Sequence, residues 1–227
     1  MKSIHFLAIA ALLAFASCKP GSTNSSESQK DTANISAFMS TEAKADASAE
    51  AADQTPGATL PSSAVVAAES ANRIIYTNVE REATDAEPAD VVSVWIKDKK
   101  SGKIRKILVT NPMADLRWED MRNRHAVEVT LDQVAAAEKA LFLPWDDSKI
   151  LVEGCPDARN IWTYVVDTDH NTAMQFPAKE GLTRFDESHH YLLMSDYRYH
   201  DEGGRYSVEE TYTEDGAFVK EELIGDL

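Results

Sequence analysis

Hydrophobic positions fall into three regimes along the chain. Phe6 to Ala16 is one unbroken apolar run, and from Lys19 to Asn72 large apolar residues almost vanish. From Ile74 onward apolar and polar residues alternate between turn signals, the period-2 pattern of half-buried strands. Val91–Ile96 and Ile104–Val109 flank a loop over 97–103, with Gly102 near its end. Ile161–Val166 and Thr172–Phe176 flank Asp167–Asn171, and Tyr206–Thr213 and Ala217–Lys220 flank Glu214-Asp215-Gly216. Asp-Gly between two β-prone runs is a strong short-range hairpin signal. One segment breaks the alternation. Thr130 and Gln133 stand at capping-box spacing ahead of Val134–Phe142, which predicts a short helix ending before Pro144. Its face would carry Leu131, Val134, Leu141 and Phe142. Ala64 to Ala71 reads as a short helical lead-in to the first strand.

The three hairpins resemble one another, and a second recurrence precedes the last two. FLPWDDSKILVEG at 142–154 and FDESHHYLLMSD at 185–196 align with an offset of 41 residues when Ile150 is set against Tyr191. A period of about 40–45 residues is the size of a four-stranded propeller blade. A turn followed by an apolar strand is also similar to the F-x-P-D-G-K-Y-L pattern of the TolB and peptidase-associated β-propellers, although neither copy keeps the Gly. The resemblance implies a fold and nothing about activity. The 155 residues of 73–227 are too few for a six- or seven-bladed ring. The expected fold is therefore mainly β, with antiparallel hairpins in about three blade-like units and one short inserted helix. A partial propeller and a sandwich both fit that description.

The apolar run at the start changes the picture of where this fold resides. Eleven residues preceded by Lys2 make a signal-peptide core and are too few to span a bilayer. Phe15-Ala16-Ser17-Cys18 resembles the lipobox of bacterial lipoproteins, with Phe where Leu is usual. The resemblance implies cleavage before Cys18, acylation of its thiol, and attachment to the membrane through that lipid. Lys19, in place of the Asp that retains such proteins at the inner membrane, implies the outer membrane. Ordinary cleavage after Ala14-Phe15-Ala16 is the alternative. The chain then divides into a signal peptide (1–18), a disordered Ala/Ser/Thr/acidic tether (19–72) and a β-rich domain (73–227). A flexible tether of 54 residues has an r.m.s. span of about 40 Å. With Cys18 lipidated, Cys155 stands alone in acidic surroundings that would raise a thiol pKa, and reads as structural.

Composition sharpens the third regime. All four Trp and all seven Tyr lie from Tyr76 onward, and the net charge of −15 is −12 over 73–227. So acidic a domain is a poor partner for nucleic acid, whose phosphates call for Lys and Arg.

Candidate chemistry is sparse. No nucleotide loop, zinc pattern, nucleophile elbow or H-E-x-x-H occurs in the sequence, and neither a catalytic residue, a cofactor nor a metal is assigned. Asp167-Thr168-Asp169-His170-Asn171 opens like a calcium loop but lacks Gly at the sixth and Glu at the twelfth position, so it reads as a solvated turn. His189, His190 and His200 accompany Asp186, Asp196 and Asp201. On a straight strand His190 and His200 would stand about 33 Å apart, too far to share a metal. The aromatic residues carry more weight. Tyr191, Tyr197 and Tyr199, with Trp162 and Tyr164 from the preceding hairpin, form a candidate platform for a glycan or peptide, or else fill the core. The functional expectation is a cell-envelope lipoprotein whose β domain binds or scaffolds a protein or glycan partner. A hydrolase or glycan-processing enzyme using Asp/Glu pairs is the alternative, and a degenerate propeller fragment a third.

Overall fold

The alternating segments become antiparallel meanders. In the computed structural model, residues 58–85, 89–114, 124–157 and 159–226 are described, all within one compact unit over 48–227. The first sheet joins β1 (Val65–Glu69), β2 (Arg73–Arg81), β3 (Val91–Asp98) and β4 (Ile104–Val109) in chain order. The second holds β6 (Lys139–Leu143), β7 (Asp146–Gly154), β8 (Trp162–Asp167) and β9 (Thr172–Phe176), with the short β5 (Val127–Val129) added beyond β9. The third joins β10 (Leu182–Asp186), β11 (Tyr191–Tyr199), β12 (Arg205–Thr213) and β13 (Phe218–Asp226). These are the three blade-like units, and none closes into a propeller.

The sheets stack face to face, and the second is the middle layer. Ile150 and Val152 of β7, with Trp162, Tyr164 and Val166 of β8, pack against Ile75, Val92, Val94, Ile96 and Ile107 of the first sheet. Leu151, Val165 and Phe176 point the other way, onto Leu192, Met194 and Tyr212 of the third. Register explains the split: Ile150 pairs with Val166 and Leu151 with Val165, so neighbouring residues serve opposite cores. A sheet buried on both faces reads as a continuous apolar run rather than an alternation. That is the pattern of Ile150-Leu151-Val152 and of the Val165-Val166 end of β8. Each fully buried aliphatic side chain contributes about 1.5–3 kcal/mol.

The predicted helix does not form. Leu131–Gln133 is a single 3-10 turn, and Gln133 Oε1 does accept the Thr130 N–H at 3.0 Å, as a capping pair should. Val134 is then extended (φ −74°, ψ 111°), and β6 begins at Lys139. Between them Val134-Ala135-Ala136-Ala137 is buried throughout, laid across the second sheet. The Ala135 N–H donates to Tyr164 Oη at 3.3 Å, and the Val134 carbonyl accepts from the Asn111 N–H at 2.8 Å. A Cβ on Gly154 would stand 2.5 Å from the Ala136 Cβ. The alanines are there because they are small enough to pass over β7, and packing overrides their helix propensity.

A second correction concerns the start of the domain. Val65–Glu69, within the expected helical lead-in, is a strand with Val66 opposite Tyr76 and Glu69 opposite Ile74. Regular structure therefore begins ahead of residue 73. The signal peptide, Cys18 and the tether up to residue 57 lie outside the described residues.

Turn side chains lock the layers together. Asp169, 46% exposed in its turn, also bridges to the first sheet: both its oxygens accept from Arg73 (3.2 Å each), and Oδ1 also accepts from Arg105 at 2.8 Å. The loop over 167–171 thus docks on the first sheet. On the other side Trp145 stacks on His190, ring centroids 4.9 Å apart, and its indole N–H donates to Glu214 at 2.5 Å. The turns at 143–146 and 186–191, the two copies of the sequence recurrence, therefore touch. Asp146 and Asp186 each accept from a Ser two residues on (2.6 Å each), so by their turns the copies differ by 40 residues rather than 41. The extra residue is absorbed in the longer β10–β11 turn, where His190 has φ +57°.

Candidate functional site

β11 sorts its side chains by alternation. Leu192, Met194 and Asp196 are buried toward the second sheet; on the opposite, outer face Leu193 is buried, Tyr191, Ser195 and Tyr197 are half-buried and Tyr199 is 67% exposed. At the far end of that face Tyr197 and Tyr199 meet edge to face, centroids 5.6 Å apart. Lys179 Nζ and the Arg205 guanidinium each lie 4.8 Å from the Tyr197 ring centroid. A cation over an aromatic ring gains about 0.5–1 kcal/mol at an exposed site. Tyr199 faces Arg205 across the β11–β12 ladder. Desolvation, then Tyr199 and Asp196, hold the Tyr197 phenol above its ordinary value. It stays protonated, and its O–H donates to Asn160 Oδ1 at 3.4 Å.

The expected platform of five aromatics is divided by the fold. Tyr197 and Tyr199 form the exposed corner, while Tyr191, at the other end of the strand, stacks on His189 with centroids 5.6 Å apart. Trp162 and Tyr164 belong to the core between the first and second sheets. Tyr164 is wholly buried, its hydroxyl held by the Ala135 N–H and by Gln175 Nε2 at 3.4 Å. Among the described residues the Trp162 indole N–H has no acceptor within hydrogen-bond geometry, although it helps lower the Asp157 carboxyl. Desolvation raises that carboxyl; the Asn160 and Arg159 N–H groups and the indole outweigh it and set it low. Lys179, Asn160 and Arg205 complete the corner and escaped the sequence reading. Arg205 alone carries a signal, since Gly203-Gly204 marks the turn that sets it opposite Tyr199.

The inner face of the same sheet carries a second constellation. Arg198 pairs with Asp196, Glu210 and Glu221, and Arg124 reaches Glu221 at 2.9 Å. Glu210 is fully buried and receives the Tyr212 O–H at 2.6 Å. Burial raises the Glu210 carboxyl; Tyr212 and Arg198 pull it back without cancelling the rise. Glu210 and Glu221 are direct cross-strand partners, a like-charge pair bridged by Arg198 and eased by Arg124 and the Tyr212 hydroxyl. Asp196 and Glu210 are buried, while Arg198, Glu221 and Arg124 keep 21%, 25% and 41% of their side-chain surface exposed, so the ion-pair network runs from the interior to the surface, its carboxylates engaged by arginine. The histidines are dispersed: His189 and His170 pair with Asp186 and Asp167 at 2.8 and 2.9 Å, His190 stacks on Trp145, and His200 lies 4.6 Å from the Tyr206 ring centroid.

Comparison with family models, with curated proteins and with solved structures finds no match.

Proposed function

We propose that this chain is a cell-envelope lipoprotein, acylated at Cys18 and held at the outer membrane, whose β domain binds a protein or glycan partner through the Tyr197–Tyr199 corner. The binding reading is carried by one observation: Tyr199 is 67% exposed beside a Tyr197 ring flanked by Lys179 and Arg205. An aromatic face with cations at its rim suits a sugar ring or an aromatic side chain, and Tyr and Arg are the residues that dominate interface energetics. The carboxylates beneath the same sheet are tied up by Arg198, which favours binding over hydrolysis. The address rests on Phe15-Ala16-Ser17-Cys18 and the apolar run before it.

Two measurements test the two halves. Cells fed a fatty-acid analogue should label the protein, and Cys18→Ala should lose both the label and membrane association; association unchanged in that variant refutes the anchor. For the corner, a partner crosslinked in envelope extracts should be lost with Tyr199→Ala/Arg205→Ala while thermal unfolding stays unchanged. Equal recovery by both proteins refutes the site.

A further inference from the structure

The stacking of the first two sheets is incomplete at one end, and the gap is a cavity of about 530 Å³, within the range of small-molecule sites. Val65, Val79 and Val92 line one wall. By register these residues share the core-facing side of the first sheet, since Val79 pairs with Val92 and Val65 with Thr77. Yet Val65 is 62% and Val79 50% exposed, because the second sheet does not reach them. The opposite wall is the extended Ala136–Glu138 segment held down against Gly154. Two carboxylates complete the lining, Asp90 and Glu138, and no Lys or Arg is among the described lining residues. One oxygen of each is engaged: Asp90 Oδ1 accepts the Ala83 N–H at 2.7 Å and Glu138 Oε1 the Cys155 N–H at 3.2 Å. The other oxygen of each has no donor among the described residues.

We propose that this cavity binds a small amphipathic cation, a primary ammonium on a short apolar body. The apolar part lies on the valines of the first sheet, and the ammonium donates to the outer oxygens of Asp90 and Glu138. Apolar walls with few convergent polar groups are what a ligand pocket needs. The sign of those groups selects the charge, since an ammonium supplies donors to carboxylates that a neutral or anionic head cannot. The site is separate from the tyrosine corner, which stands on the outer face of the third sheet.

The test uses chain 19–227, which keeps the tail and the β domain, with hexylamine, hexanol and hexanoate as probes followed through methyl NMR. Hexylamine should shift the Val65, Val79, Val92 and Ala136 methyls saturably, about tenfold more tightly than hexanol, with hexanoate inert. Glu138→Gln should narrow the gap between amine and alcohol, and Val79→Phe should abolish binding of both by filling the space. Equal affinity for amine and alcohol overturns the charge argument, and the absence of shifts in those methyls overturns the site. Should deletion of residues 19–57 shift the same methyls while hexylamine does nothing, the cavity seats the tail and the proposal falls.

Discussion

Arg198→Met removes a cation that reaches three carboxylates at once, while keeping an unbranched side chain of similar length. Asp196 and Glu210 are 3% and 0% exposed, so neither can recover water in the folded state. Removing one partner of a buried ion pair costs about 3–5 kcal/mol, because the remaining charge is left uncompensated. Arg124 still reaches Glu221, which leaves Asp196 and Glu210 as the unpaired groups. The loss carries a pH signature. Burial already pushes the Glu210 carboxyl up, and Arg198 is one of the groups that restrain it. A carboxyl raised in the folded state favours folding below its unfolded value of about 4.3, and that contribution fades as pH rises through the folded value. The variant's deficit should therefore be largest at pH 7 and shrink toward pH 4, where Glu210 is neutral. Urea unfolding of both proteins at several pH values measures it. Arg198→Met/Glu210→Gln should be more stable than Arg198→Met at pH 7, since it removes one of the stranded charges. A deficit below about 1 kcal/mol, the size of an exposed pair, or one that does not change with pH, would refute the account of two buried carboxylates held by Arg198.

Gly154→Ala should lower stability by about 1–3 kcal/mol, read in a denaturant melt, because its Cβ meets backbone atoms of Ala136 and Ala137 that cannot rotate away. Tyr164→Phe should cost about 1–3 kcal/mol in the same assay by stranding the buried Ala135 N–H. The Asp186 carboxyl, held down chiefly by the Ser188 hydroxyl and then by His189, should titrate by NMR at about 2. Its contribution to folding is present above the ordinary carboxylate value and is lost as pH falls through about 2; Ser188→Ala should move the midpoint upward.

Strand identity was largely legible in the sequence because turns announce themselves: Gly102, Asn171 and Gly216 all adopt positive φ at hairpin turns that composition located. The layering was not read: the unbroken apolar run of β7 marks a strand buried on both faces, yet the sequence reading left a partial propeller and a sandwich open. The alanine segment was not. Three alanines after a capping pair carry the same local preference whether they propagate a helix or slip past Gly154, far along the chain, and only the partner decides. β1 was hidden for a related reason: Val-Val-Ala-Ala offers too little side chain for alternation to register. At the candidate site, the sequence reading grouped Tyr191, Tyr197 and Tyr199 with Trp162 and Tyr164. It could not say that Trp162 and Tyr164 face the other interlayer space, since that depends on which face of the middle sheet each residue takes. Arg198 stood in plain view as a charge on a core-facing position, beside Asp196 and Glu210, yet its partners come from three strands.

The middle layer has a consequence for how the molecule assembles. Apart from β5, every strand pairs with a chain neighbour, so closing each meander involves short loops and little entropy. What remains is to bring three ready-made layers together, and the central one cannot wait in water, because both its surfaces are apolar. It needs the layer made before it and the layer made after it. The described β unit should therefore gain or lose its order as one cooperative body, with the final hairpin as indispensable to the first sheet's partner as to its own. A chain stopped before Tyr191 would present Leu151, Val165 and Phe176 to solvent, a surface made for aggregation rather than for half a fold.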